Sequence, residues 1–130
     1  MEIDCVGLFV NNMETMVKFY RDIIGFKTNW NGEPNADFEA GNCRLIMYGR
    51  NDFEKMISKS FEYPKSLNGT MEIAFNVKTY DDVDIEYDRL VNLGVISVFP
   101  PTMMPWGQRT CYVSDPEGNL LEIGSFGTST

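Results

Sequence analysis

The chain has 130 residues, 43% of them hydrophobic and 23% charged, the size and balance of one globular domain with a core of its own. Its net charge of −8 speaks against a nucleic-acid partner, which needs basic side chains to displace counterions, and no apolar run nears the ~18 residues of a membrane span. Histidine is absent, so there is no imidazole for a metal or for proton transfer near neutrality, and acid–base chemistry falls to a carboxylate, a thiol or a tyrosine.

Glu2 to Val10 alternates loosely and carries Ile, Val and Phe, which predicts a strand with one face in the core. Asn11 or Asn12 caps the helix that follows, Asn11 with Glu14 having the spacing of a capping box. Met16, Val17, Tyr20, Ile23 and Ile24 form its buried stripe, and Gly25 stops it. Three short strands are expected next, Phe26–Trp30, Ala36–Ala40 and Cys43–Tyr48, separated by turn residues at Asn31-Gly32-Glu33-Pro34 and Gly41-Asn42. Residues 51–69 read as a connector in which Phe53, Met56 and Ile57 suit a helical turn or two before Pro64 and Gly69 open a loop.

The same order then returns. Thr70–Val77 is a strand, and Thr79 with Asp82 caps a helix whose buried stripe is Val83, Tyr87, Leu90 and Val91 and whose stop is Gly94. Val95–Phe99 is the next strand, which Pro100-Pro101 is expected to break. Gln108–Val113 and Asn119–Ser125 make a closing hairpin around Asp115-Pro116-Glu117-Gly118. Setting Cys5-Val6-Gly7-Leu8 over Glu72-Ile73-Ala74-Phe75 aligns the two halves, and a repeat of this length governs the whole fold. The expected architecture is α+β: one domain, 1–130, of two βαβββ modules, 1–50 and 70–130, joined by the connector 51–69. Three cysteines at wide spacing, Cys5, Cys43 and Cys111, suggest buried thiols in a reducing compartment, not a disulfide framework. The start Met-Glu-Ile-Asp-Cys lacks the basic and apolar regions of a secretory signal, so a cytoplasmic location is expected.

Phe19-Tyr20-Arg21-Asp22 with Gly25-Phe26, and Trp106-Gly107 leading through Asp115-Pro116-Glu117-Gly118-Asn119 to Leu121-Glu122-Ile123, resemble the vicinal-oxygen-chelate superfamily of glyoxalase I, extradiol dioxygenases, and fosfomycin- and bleomycin-resistance proteins. The resemblance covers nearly the whole chain. It implies that each module curls its sheet into half of a cup that holds a small-molecule ligand, that the chain forms a homodimer, and that any metal sits on the first and last strands. Carried over by position, the metal ligands fall on Cys5, Glu72 and Glu122, while the fourth position falls on Ile46, which cannot coordinate. One thiol and two carboxylates mix soft and hard donors, a set that divalent ions do not favour, so the expectation is no cofactor and a degraded metal site.

Two functional classes remain open. One is a module that binds a small, partly aromatic ligand, with Trp106, Met104, Tyr112, Phe38 and Trp30 as walls and Arg109 as a clamp for an anionic group. The other is a lyase or isomerase of the glyoxalase I type, with Glu122 or Glu72 as the general base. Neither a nucleic acid nor a membrane is expected as partner.

Overall fold

The computed structural model describes residues 1–128 and divides the chain into two compact units, Met1–Tyr63 and the part from Pro64 on. The first unit contains strand β1 (Cys5–Val10), helix α1 (Met13–Lys18), strands β2 (Lys27–Thr28), β3 (Asn35–Ala40) and β4 (Cys43–Gly49), and helix α2 (Arg50–Ile57). The second contains β5 (Asn68–Asn76), α3 (Tyr80–Asn92), β6 (Ile96–Met103), β7 (Arg109–Ser114) and β8 (Asn119–Ser125). Each unit is β-α-β-β-β around a four-stranded mixed sheet, in the order β1-β4-β3-β2 and β5-β8-β7-β6 respectively. In each, the first strand runs parallel to the last, and the two sheets therefore repeat one another.

Local chemistry explains the elements. Asn12, not Asn11, caps α1, its side chain accepting from the Thr15 N–H at 3.0 Å. The helix runs on as a wider π-helical segment, Phe19–Ile24, and the Tyr20 carbonyl receives both the Gly25 and the Phe26 N–H. Gly25 closes it at φ +97°, a backbone region that costs glycine little. Thr79 and Asp82 form the full reciprocal capping box of α3. In the first core Met16, Val17 and Tyr20 of the helix meet Leu8, Val10, Phe38, Leu45 and Met47 of the sheet; in the second Val83 and Leu90 meet Cys111, Val113, Leu121 and Ile123.

One expectation about the connector is met, and two about the strands are corrected. The helical turns expected of Phe53, Met56 and Ile57 are α2, which packs on β1 and β4, the Phe53 ring tilted against Phe9 with centroids 4.3 Å apart. The strand expected at Phe26–Trp30 contracts to Lys27–Thr28, because the Trp30 side chain turns to donate its indole N–H to the Glu33 carbonyl at 2.8 Å. Pro100-Pro101 does not end β6, which continues to Met103 with shifts of register on either side of Phe99. β6 lies at the edge of its sheet, where a residue without an N–H leaves no ladder bond unmade. Among the described residues no helix is long and apolar enough to cross a membrane.

Candidate functional site

Pairing in the second sheet assigns every residue of β7 and β8 to a face. Arg109, Cys111 and Val113 stand opposite Ser125, Ile123 and Leu121, the row that packs under α3. Thr110 and Tyr112 stand opposite Gly124 and Glu122 on the other face, and β5 adds Glu72 and Ala74 beside Leu120 and Glu122. Glu72 and Glu122 are thus brought to one face of one sheet, the placement that the superfamily resemblance implies. The register agrees with the overlay of the two halves at its key position: Ala74 pairs with Glu122, and in the first unit Gly7 pairs with Ile46.

The centre of this face is Glu122. Its Oε2 accepts from the Thr110 hydroxyl at 2.7 Å and from the Tyr112 hydroxyl at 3.0 Å. Thr110 is 2% exposed, so its hydroxyl needs this partner. The Tyr112 phenol is held far above its usual pKa, first by burial, then by its hydrogen bond to Glu122 and that group's charge, and then by Glu72. It therefore acts as a hydrogen-bond donor throughout the physiological range. Phe99 lies beside the Tyr112 ring at 6.4 Å.

Above this row stands the β6–β7 hairpin. The Met104 N–H donates to the Gln108 carbonyl at 2.7 Å and the Gly107 N–H to the Met104 carbonyl at 3.0 Å, which places the half-buried Met104 and the exposed Trp106 at the rim. The Trp106 indole N–H donates to Gln108 Oε1 at 3.0 Å.

Three of the expected ligand contacts are not on this face of the second sheet. Arg109 turns to the α3 side, where its Nε and Nη2 bind the two oxygens of Asp84 at 2.6 and 2.7 Å. It braces helix to sheet and is spent as a clamp on this face. Phe38 is 0% exposed and sits opposite Leu45 in the row under α1, packed near Tyr20 at 6.2 Å, so it is a core residue and not a ligand wall. Trp30 belongs to the first unit, on a groove of about 590 Å³ shared with Lys27, Thr28, Asn35, Asp37 and Glu39. Cys5 is also in the first unit, half-buried and paired with Arg44, whose guanidinium lies between Asp4 and Asp37.

Among the described residues no three His, Cys, Asp or Glu side chains come together as a metal-binding group. The second sheet offers two carboxylates, Glu72 and Glu122, where a catalytic divalent ion ordinarily takes three anionic or imidazole ligands. This donor set does not fit such an ion. Sequence reasoning did not single out Thr110 and Gln108, although strand alternation marks them: both lie an even number of residues from Tyr112, whereas Arg109 lies an odd number away.

The model of the glyoxalase/bleomycin resistance protein/dioxygenase superfamily matches residues 2–123, and the chain belongs to that superfamily. It is 30% identical over 127 residues to the uncharacterised protein YraH of Bacillus subtilis (strain 168), covering 95% of this chain and 97% of that one. It is 25% identical over 114 residues to the metallothiol transferase FosB of Lysinibacillus sphaericus (strain C3-41), covering 88% and 74%. The fold matches the crystal structure of a family enzyme from Burkholderia phytofirmans PsJN with a TM-score of 0.83 at 18% identity, covering 97% and 99%.

Proposed function

We propose that the protein binds a small organic cation, partly aromatic, on the face of the second sheet that carries Glu72, Glu122 and Tyr112. One observation carries this reading: Glu72 and Glu122 flank a single phenol, and among the described residues neither carboxylate makes an ion pair. Two neighbouring carboxylates repel each other, and a bound cation relieves that cost. Trp106, Phe99 and Tyr112 supply flat apolar area for an aromatic group and π-faces for the charge. A homodimer belongs to the same proposal, on the strength of the family alone, and light scattering on the purified chain tests it.

The test uses phenethyltrimethylammonium, titrated into the Trp30→Phe variant so that the fluorescence reports Trp106 only. Saturable quenching is expected, with Glu122→Gln weakening binding at least tenfold, about 1.4 kcal/mol. No spectral change at millimolar probe, or equal binding of neutral phenethyl alcohol, would refute the reading.

A second reading rests on a separate detail. Both hydroxyl donors go to Glu122 Oε2, leaving Oε1 without a hydrogen bond among the described residues. A carboxylate held by one oxygen with the other unengaged is placed as a general base next to a carbonyl substrate. Its assay is consumption of the hemithioacetal formed from methylglyoxal and a small thiol. Glu122→Gln should abolish turnover with the far-ultraviolet spectrum unchanged, and undiminished turnover would remove Glu122 as the base.

A further inference from the structure

Gln108 lies at the mouth of β7, on the same face as Thr110 and Tyr112. Trp106 determines which way its amide points: the indole nitrogen can only donate, so the atom it meets at 3.0 Å is the oxygen, Oε1. The amide nitrogen is therefore turned the other way, towards the sheet. It comes down over Gly124, so close that a Cβ built at that position would stand 2.6 Å from Nε2 and 3.4 Å from the Thr110 hydroxyl oxygen. Gly124 pairs with Thr110, and Thr110 donates to Glu122. A continuous polar row thus runs from Trp106 through Gln108 and Thr110 to Glu122. The two N–H groups of Gln108 have no partner among the described residues, and neither does Glu122 Oε1.

We propose that Gln108 positions Trp106 over this face and sets its ligand preference, with Gly124 as the gap that admits the amide. The face then presents a donor, Gln108 Nε2, in line with an acceptor, Glu122 Oε1. Gly124 and Glu122 are two residues apart on β8, so the backbone separation is about 6–7 Å. A ligand that matches both ends carries a cation or N–H for Glu122 and a carbonyl-type acceptor for Gln108, with its ring against Trp106. The positioning role stands without any ligand, whereas the preference rests on the cation-binding reading above.

The experiment has a ligand-free arm and a ligand arm. The chain holds only two tryptophans, so a ¹H–¹⁵N spectrum shows two indole signals, and Trp30→Phe assigns them. Gln108→Leu should shift the Trp106 indole signal upfield and speed its exchange with water at least tenfold. Gln108→Glu, which keeps an acceptor for the indole, should leave the signal near its parent position. Gly124→Ala, which touches neither residue's backbone partner but occupies the amide's space, should act as Gln108→Leu does. Trp30, bonded to the Glu33 carbonyl, is the internal control. An unmoved Trp106 signal in either Gln108→Leu or Gly124→Ala overturns the positioning role.

The ligand arm compares phenacyltrimethylammonium with phenethyltrimethylammonium, which differ by a carbonyl in place of a methylene. The parent should prefer the carbonyl probe at least fivefold, and Gln108→Leu should erase the preference. Equal binding by the parent overturns the donor role of Gln108. Failure to bind either probe refutes the cation reading and with it the ligand preference, while the indole signal still decides whether Gln108 positions Trp106.

Discussion

Replacing Asp84 by Asn breaks the two-pronged ion pair that ties Arg109 to α3, and the structure sets how much this should cost. The pair is two-pronged, 2.6 and 2.7 Å, with side-chain exposures of 25% for Arg109 and 41% for Asp84. Solvent screens a pair so placed, which keeps it near the measured range for exposed pairs, and the fork geometry puts it at the upper end, about 1 kcal/mol. Urea unfolding of the parent, Asp84→Asn, Arg109→Met and the double variant at neutral pH measures this as a coupling energy. The Arg109 guanidinium holds the Asp84 carboxyl below its ordinary pKa. A lowered folded-state pKa stabilises the protein above the unfolded value of about 3.9 and loses that contribution as pH falls through the folded one. The parent's advantage over Asp84→Asn is therefore present at pH 7 and closes in acid below about pH 4. Coupling under about 0.3 kcal/mol would refute the brace. So would a loss of phenethyltrimethylammonium binding in Arg109→Met, since it would return Arg109 to the ligand face.

Other outcomes follow from burial. Phe38→Ala should destabilise the protein by about 3–5 kcal/mol, as an aromatic truncation in a packed core does, and a variant of near-parent stability would mean that the ring is not in the core. The Cys111 thiol is fully buried and its pKa is pushed up to about 11, chiefly by burial. Iodoacetamide at pH 8 should therefore label exposed Cys43 first and spare Cys111 until urea is added, and equal rates at both would contradict the packing under α3. Thr79→Ala should cost about 1 kcal/mol through loss of the α3 cap, read by the same urea titration; no change would show that Asp82 alone holds the helix start.

Element order and the internal repeat were legible because their signals are local. Asn12 and Thr79 cap through neighbours three residues away, Gly25 and Gly94 follow the last helical turn, and β8 has the bounds its alternation predicts. The overlay of the two halves located Ile46 and Glu122 as equivalent positions, and the sheet registers agree. Where local signals competed, propensity misled: Pro100-Pro101 excludes a central strand but allows either an edge strand or a break, and the position of β6 at the sheet edge decides for the strand.

The composition and repeat of this sequence determined an α+β chain of two βαβββ halves without an imidazole, and the resemblance of its motifs to the superfamily brought Glu72 and Glu122 forward as candidates. Only the tertiary structure decided which face each side chain serves. Arg109 and Tyr112 are three residues apart on one strand, and pleating sends them to opposite sides, one to Asp84 on α3 and the other to Glu122. Phe38 reads from the sequence as an aromatic that could wall a pocket, until pairing with Leu45 puts it in the core. The seat of Gln108 over Gly124 joins residues that no local pattern connects, because the space a missing Cβ leaves exists only once β7 and β8 are side by side.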